Sequence, residues 1–212
     1  MRKSMCVKAA FCLLLVFAVS PVCFGQVYTP QPFSADFGAT SGNGTHTTGK
    51  YYFSSPRFRM DFNSQGRNVS IINDSGTQTN YIVMHDQHMY MESHSNQPNP
   101  LMRQAPFVPK DFDPKNPCVW AAQHDATCKS LGTEIVNGRL CDKYQGTSKD
   151  GKTGTGWIDQ KLHFIVKGVS SDGASFEFSN IKEGKPDASL FQAPAGYRKM
   201  DLPGAMGGRP PQ

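Results

Sequence analysis

Three methionines and three histidines lie close together in this chain, within residues 84–94. Thioether sulfur suits Cu(I) and imidazole suits Cu(II), so this hairpin-like stretch has the ligand types of a copper site. The spacing favours a different interpretation. A two-residue turn at residues 86–87 pairs the flanking strands so that four apolar side chains share one face, namely Ile82, Met84, Met89 and Met91. We expect this stripe to form core or to line a pocket, with no metal bound, and copper binding by hairpin 84–94 is an alternative.

Residues 146–153, GTSKDGKT, match the phosphate-binding pattern G-x-x-x-x-G-K-[ST]. The motif binds phosphate where a strand precedes it and a helix follows it. Here residues 154–157 lead into a strand, so the segment predicts a polar hairpin loop. The chain also lacks a G-x-S-x-G elbow, an H-E-x-x-H motif and paired carboxylates at a recognisable spacing. We therefore expect a protein that is not an enzyme and needs no cofactor.

The N-terminus has the three regions of a secretory signal peptide. Arg2, Lys3 and Lys8 form a basic region, residues 9–22 are an apolar run, and residues 23–25 fit a cleavage site after Gly25. The apolar run is too short to span a membrane, and no later segment is long enough. We expect residues 1–25 to be a cleaved signal peptide and the protein to be periplasmic or secreted. Acylation of Cys23, as in a lipoprotein, is the alternative.

The charge of the exported chain is close to neutral. Removal of residues 1–25 leaves 19 basic and 17 acidic residues, which lowers the formal charge from +5 to +2. That balance does not indicate nucleic acid or an anionic membrane as a partner. The partners that remain are a hydrophobic ligand, such as a lipid or an acyl chain, and a protein of the cell envelope.

Export leaves three cysteines in a compartment that permits disulfides. Cys118 and Cys128 lie ten residues apart in a loop-like stretch, and we expect them to form a disulfide. Closing a loop of that length stabilises a fold by about 2.5–3 kcal/mol. Cys141 lies in a strand pattern and is predicted to be a small buried apolar residue.

The hydrophobic pattern is that of β-strands almost throughout. Residues 58–62 alternate strictly, with Phe58, Met60 and Phe62 on one face and Arg59 and Asp61 on the other. Asn137-Gly138 between two apolar runs predicts a tight hairpin. Six prolines within residues 98–117 interrupt the pattern, because proline disrupts both ladder pairing and long helices.

A short helix is predicted directly after these prolines. Asn116 would be its N-cap, Pro117 its first residue, and residues 119–122 its body. The whole pattern predicts a mainly β fold, a strongly curved antiparallel sheet or incomplete β-barrel of about eight to eleven strands, with one short helical or loop plug. A two-sheet sandwich is the structural alternative. We expect one domain over residues 26–202 and a disordered Gly/Pro tail over residues 203–212.

Several segments of the second half resemble a known family. Residues 131–144 are similar to the hairpin pattern GTE-x-VNG-x-x-C-x-K-Y of exported LolA-like domains, and residues 157–159 resemble the strand that follows it. Residues 180–185 and the segment from Pro186 to Met200 resemble the end of that pattern. The chain is thus similar over residues 131–200 to the LolA/LolB-like lipoprotein-carrier superfamily, and to an exported bacterial domain of unknown function within it.

The resemblance implies a half-open β-barrel whose concave apolar face is covered by helix and loop. Better-known relatives hold lipid or the acyl chains of lipoproteins on this face. We therefore expect an exported, non-enzymatic protein that binds a hydrophobic ligand there, with the proline-rich crossing and its disulfide as a lid. The candidate lining consists of Phe58, Met60, Phe62, Ile82, Met84, Met89, Met91 and Phe164. The alternative is a structural or protein-interaction module of the cell envelope that binds through an exposed sheet edge.

Overall fold

In a computed structural model the described residues are 30–94 and 112–200. They form twelve strands in one sheet, a short α-helix and two 3-10 turns. The predicted signal peptide, most of the proline-rich crossing and the predicted tail lie outside the described residues. None of the described helices is long and apolar enough to cross a membrane.

The elements follow one another in this order along the chain: β1 (Phe33–Thr40), β2 (His46–Ser54), β3 (Arg57–Ser64), β4 (Arg67–Asp74), β5 (Thr79–Met84), a 3-10 turn (His85–Gln87), β6 (Met89–His94), α1 (Pro117–Gln123), β7 (Thr127–Val136), β8 (Arg139–Thr147), β9 (Thr153–Asp159), β10 (Phe164–Ser170), β11 (Ser175–Glu183), a second 3-10 turn (Ala188–Phe191) and β12 (Arg198–Met200).

Two meanders, β1–β6 and β7–β11, build the sheet and meet where β1 pairs with β11. The strand order is β12-β6-β5-β4-β3-β2-β1-β11-β10-β9-β8-β7, so β1 pairs with β11 across most of the chain's length. The mainly β, open-barrel prediction is confirmed. Twelve strands form rather than about eight to eleven. Strand β2 begins at His46, inside a polar stretch. The sheet is also not wholly antiparallel, since β12 runs parallel to β6.

The sheet is strongly curved, and its aromatic contacts identify the concave face. Phe53 on β2 and Phe164 on β10 are three strands apart, which is about 14 Å in a flat sheet. Their ring centroids are 4.9 Å apart, and Phe33 on β1 lies 5.1 Å from Phe164. The face that carries these rings is therefore concave. It holds the main core, which includes Phe33, Ala35, Phe37, Tyr51, Phe58, Met60, Ile71, Phe164, Val166 and Phe178.

The C-terminal segment covers part of the opposite, convex face. Phe191 is buried there against Ile72 and Val83. The 3-10 turn that presents Phe191 is preceded by Asp187, whose carboxylate accepts a hydrogen bond from the Ser189 amide at 2.8 Å. Asp187 therefore caps this turn. The chain then continues to the sheet edge, where β12 joins β6.

The predicted disulfide between Cys118 and Cys128 is present, and it ties α1 to β7. Helix α1 begins at Pro117 as predicted, but Asn116 does not cap it through its side chain, which donates to Asp113 at 2.8 Å instead. Cys141 is free and fully buried. Burial raises the pKa of its thiol to about 11, so it is protonated and unreactive at neutral pH.

Loss of the disulfide is expected to lower the free energy of unfolding by about 2.5–3 kcal/mol, because the unfolded chain regains the entropy of a ten-residue loop. The test is urea denaturation of a Cys118→Ser, Cys128→Ser double variant. Wild-type protein under a reducing agent is the matched control and should unfold at the same urea concentration. An unchanged midpoint in both samples would contradict the expectation.

Candidate functional site

A cavity of about 1000 Å³ opens on the concave face. Strands β1, β3 and β4 each present their alternate apolar residues to it, and the curvature of the sheet brings β10 and β11 over the opposite side. The apolar wall includes Phe37, Met60, Phe62, Ile71, Phe164 and Phe176. An apolar concavity of this size on a folded scaffold is the usual form of a small-molecule site.

Two glycines make room for phenylalanine rings of this wall. A Cβ atom at Gly168 would lie 2.5 Å from the Phe176 ring on the neighbouring strand. A Cβ atom at Gly49 would lie 2.7 Å from the Phe37 ring and 2.0 Å from the Asp61 carbonyl oxygen. Both glycines lie in strands, where the residue otherwise weakens pairing, so close packing of these rings accounts for them.

The mouth of the cavity is polar and lies where three hairpins end. The β1–β2 and β10–β11 turns are each closed by a backbone hydrogen bond, from the Ser41 amide to the Thr45 carbonyl at 2.9 Å and from the Ser170 amide to the Ala174 carbonyl at 2.8 Å. The β3–β4 turn contributes residues 63–65. The cavity is thus apolar inside and hydrogen-bonding at its entrance.

The strand register places the predicted lining residues on the concave face. Antiparallel partners point to the same side of a sheet, and Tyr51 pairs with Met60, Met60 with Ile71, and Ile71 with Ile82. The next pair is Ile82 with Met91. Every second residue of a strand points to the same face. The remaining predicted residues of β3, β5 and β6 therefore also lie on the concave face: Phe58, Phe62, Met84 and Met89.

Only part of this predicted set lines the cavity. Met60, Phe62 and Phe164 do, and they lie among the wall residues given above. Phe58 is buried in the core, with its ring centroid 6.0 Å from that of Tyr51. The four hairpin residues are half-buried on β5 and β6, outside the cavity lining: Ile82, Met84, Met89 and Met91.

Sequence reasoning missed several residues of the wall. Phe37, Ile71 and Phe176 line the cavity but were not in the predicted set. Alternation along residues 33–37 marks Phe37 as an inward residue of β1. No local signal shows that β11 lies beside β1, and that pairing is what brings Phe176 to the cavity.

The methionine–histidine hairpin pairs as predicted, with Met84 opposite Met89, but its turn has four residues rather than two. His85 lies against the convex face, with its ring nitrogens 2.6 Å from Ser70 Oγ and 3.1 Å from Tyr197 Oη. The Met89 sulfur accepts a hydrogen bond from Arg198 at 3.1 Å. The His85 imidazole and the thioethers of Met84 and Met89 therefore face opposite sides of the sheet. In the described residues, no group of three His, Cys, Asp or Glu side chains is placed to hold a metal ion.

A polar network on the convex face contains serine, histidine and aspartate. Ser70 Oγ donates to Asp61 at 2.6 Å and lies 2.6 Å from His85 Nε2. This is not a catalytic triad, because the aspartate bonds to the serine rather than to the histidine, and Ser70 is fully buried. Arg59 joins the network and donates to the Leu190 carbonyl at 3.0 Å.

Arg59 points to the convex face of the sheet, but it is buried because the C-terminal segment lies over it. A depression of about 740 Å³ beside this network is lined by charged residues that already pair with one another. Arg59 pairs with Asp61, and Lys50 with Asp36. The hydrogen bonds from Lys50 and Asn180 lower the pKa of Asp36. The convex face therefore anchors the C-terminal segment, and the concave cavity is the better candidate site.

No protein-family model matches this sequence, and no curated protein matches it at a significant level. Solved structures are similar in fold. An uncharacterized conserved protein from Thermus thermophilus superposes with a TM-score of 0.53 at 10% identity, over 81% of this chain and 90% of that one. MucB, a LolA-like protein, superposes in its complex with MucA(peri) with a TM-score of 0.51 at 18% identity, over 81% of this chain.

The chain has a LolA/LolB-like fold. The Pseudomonas aeruginosa MucA/MucB complex gives the same TM-score of 0.51 at 18% identity. This chain spans 57–59% of the length of MucB in the two complexes. The segments that carry the sequence resemblance, residues 131–200, form most of β7 and all of β8 to β12 in the LolA/LolB-like sheet.

Proposed function

We propose that this chain is an exported, non-enzymatic protein that holds a hydrophobic ligand, such as a lipid or a lipoprotein acyl chain, in the concave cavity. The observation that carries the proposal is the cavity of about 1000 Å³ with its phenylalanine and methionine wall. Burial of apolar ligand surface against that wall contributes about 25 cal/mol per Å².

Two features support export to the periplasm or beyond. The N-terminal 25 residues have the pattern of a cleaved signal peptide. The Cys118–Cys128 disulfide fits an oxidising compartment. In this proposal the mature protein is a single domain over residues 26–202 with a short tail, and its sheet is the scaffold for the cavity.

A cavity-filling substitution tests the proposal. Ala39 is a half-buried residue of β1 that lines the cavity, so Ala39→Phe adds a ring inside it. The full chain is exported in a bacterial host, purified, and incubated with a bacterial total lipid extract before native mass spectrometry. We expect a stoichiometric lipid adduct on the wild type and about a tenfold weaker one on Ala39→Phe, equivalent to about 1.4 kcal/mol.

Ala122→Phe is the matched control, because it adds the same ring to an exposed position of α1. It should bind lipid like the wild type, and thermal melting should show that both variants are folded. A wild-type protein that keeps its ligand-free mass in the presence of the extract would refute hydrophobic-ligand binding. Equal lipid binding by the wild type and Ala39→Phe would show that the lipid binds outside this cavity.

A protein-interaction role is the second candidate, favoured by the edge strand β7. This strand ends the described sheet on one side. Ile135 on β7 and its cross-strand neighbour Leu140 are 70% and 51% exposed. Unpaired edges with exposed apolar side chains accept an added strand from a partner. MucB, which shares the fold, has been solved in complex with MucA(peri).

Site-specific photo-crosslinking inside cells tests this candidate. A crosslinker in place of Ile135 should give one protein adduct of defined mass. The same crosslinker in place of Val169, which is 42% exposed and lies away from the β7 edge, is the control and should not give it. Identical adducts from both positions, or none from position 135, would exclude a strand partner on β7.

A further inference from the structure

The concave face continues beyond the cavity as a half-buried apolar surface. Val69 on β4 pairs with Phe62 of the cavity wall on one side and with Met84 on the other. Met84 in turn pairs with Met89 on β6. All four of these side chains are half-buried. They therefore connect the cavity to the methionine stripe, which we define as Ile82, Met84, Met89 and Met91.

The methionine stripe has the properties of an acyl-chain subsite. Its two cross-strand pairs, Met84 with Met89 and Ile82 with Met91, follow each other along the hairpin at about 7 Å, the distance between every second residue of a strand. Methionine side chains are flexible and polarisable, so they adapt to irregular apolar partners. Because the four side chains are only half-buried, they offer a ligand more surface than Met60, which is 6% exposed.

Arg67 lies at the boundary between the cavity and the methionine stripe. It precedes Val69 by two residues on β4 and pairs with Ser64, which lines the cavity, so its side chain is on the concave face. Arg67 is exposed and forms no ion pair among the described residues. Asp86 in the β5–β6 turn binds Asn68 instead, accepting hydrogen bonds from its backbone amide at 3.0 Å and its side-chain amide at 3.3 Å.

A second arginine lies at the outer end of the apolar row. Arg198 on β12 pairs with Met89 and donates to its sulfur at 3.1 Å. Within the described strands β3 to β6 and β12, the other concave residues are apolar or carry uncharged hydroxyl or amide groups. An anionic head group would therefore gain a cation here without meeting a carboxylate, and a guanidinium binds phosphate through two parallel hydrogen bonds.

We infer that the concave face binds an anionic lipid with two acyl chains. This inference rests on the proposed function. One chain occupies the cavity and the other lies on the methionine stripe, while the phosphate of the head binds Arg67 between them. A ligand with one chain and an uncharged head would leave both the stripe and the guanidinium in water.

Three short-chain lipids test the inference, each used below its micellar concentration. Dioctanoylphosphatidylglycerol has two chains and an anionic head, octanoyl lysophosphatidylglycerol has the same head and one chain, and dioctanoylglycerol has two chains and no charge. Each is titrated into the full exported protein, and binding is followed by native mass spectrometry. We expect the first lipid to bind about tenfold more tightly than either of the others, because each of them lacks one of the two contacts.

Arg67→Gln tests the head-group contact. It should weaken the binding of dioctanoylphosphatidylglycerol about tenfold and leave dioctanoylglycerol unchanged. Lys129→Gln is the matched control, because it removes one positive charge from an exposed position on β7, at the far edge of the described sheet. It should change the binding of neither lipid. Equal losses from the two variants would show a general effect of net charge and overturn the inference.

Met91→Gln tests the chain subsite, because it places an amide of similar length on the stripe. It should weaken the two-chain anionic lipid about fivefold and leave the one-chain lipid unchanged. Leu140→Gln, which makes a similar change at a 51% exposed position on β8, is the control and should affect neither. Thermal melting checks that each variant is folded, and Met84→Gln repeats the test if Met91→Gln is not.

The outcomes separate this inference from the proposed function. Equal binding of the anionic and uncharged two-chain lipids to the wild type overturns head-group recognition and leaves hydrophobic-ligand binding intact. Equal binding of the one-chain and two-chain anionic lipids overturns the stripe as a subsite, and another occupant, such as residues 95–111 or a second copy of the chain, would then cover it. Failure of all three lipids to bind overturns both the inference and the proposed function.

Discussion

Phe164→Ala is expected to lower the free energy of unfolding by about 3–5 kcal/mol. Phe164 is 1% exposed and joins the two meanders of the sheet. Its ring centroid lies 4.9 Å from Phe53, 5.1 Å from Phe33 and 6.2 Å from Phe178. Aromatic pairs of this kind contribute about 0.5–1.5 kcal/mol each beyond their buried area. Removal of the ring therefore costs hydrophobic burial, ring contacts and the packing around a new cavity.

Urea denaturation followed by tryptophan fluorescence measures this loss. Phe62→Ala is the matched control, because Phe62 lines the same cavity but is only half-buried at the end of β3. Its loss should cost about 1–2 kcal/mol, in proportion to the smaller area that it buries. Equal costs for the two variants would show that the rings of β10 do not close over β1 and β2, and would argue against the curvature described here.

Asp159→Ala is expected to destabilise the fold by about 3–5 kcal/mol, the range for loss of one partner of a buried ion pair. Asp159 is 1% exposed and pairs with the Arg139 guanidinium. Its Oδ1 atom also accepts hydrogen bonds from the Lys161 amide at 2.8 Å and the Leu162 amide at 2.7 Å. Alanine would leave the two turn amides without this acceptor, and Arg139 would keep only its pair with Glu183 at 3.0 Å.

Asp159→Asn separates the two contributions, because it keeps an oxygen for the turn amides but removes the charge opposite Arg139. We expect it to fall between the wild type and Asp159→Ala in urea denaturation. Asp150→Ala is the control: Asp150 is 63% exposed, and its pair with Lys152 spans 4.0 Å, so its loss should change stability by less than about 0.5 kcal/mol. A cost for Asp159→Ala no larger than that of the control would rule out the structural role given to Asp159.

Local sequence signals predicted the features that depend on neighbours along the chain. Asn137-Gly138 predicts a tight hairpin, and both residues have the positive φ angles that such a turn requires, 49° and 78°. The pairing of Met84 with Met89 follows from alternation about a short turn. Likewise, Asp187 caps the turn that ends in Phe191, as its position before a short apolar run predicts.

The sequence by itself thus determined most of the strands, the residues that share a face on each strand, the disulfide and the resemblance to LolA-like proteins. Only the tertiary structure decided which face is concave, that β11 lies beside β1, and that Phe176 completes a cavity wall begun by Phe37. It also decided that Arg59 is buried under the C-terminal segment. The reason is physical. Alternation acts between residues two apart in one strand, whereas curvature arises where rings on strands distant in sequence pack together.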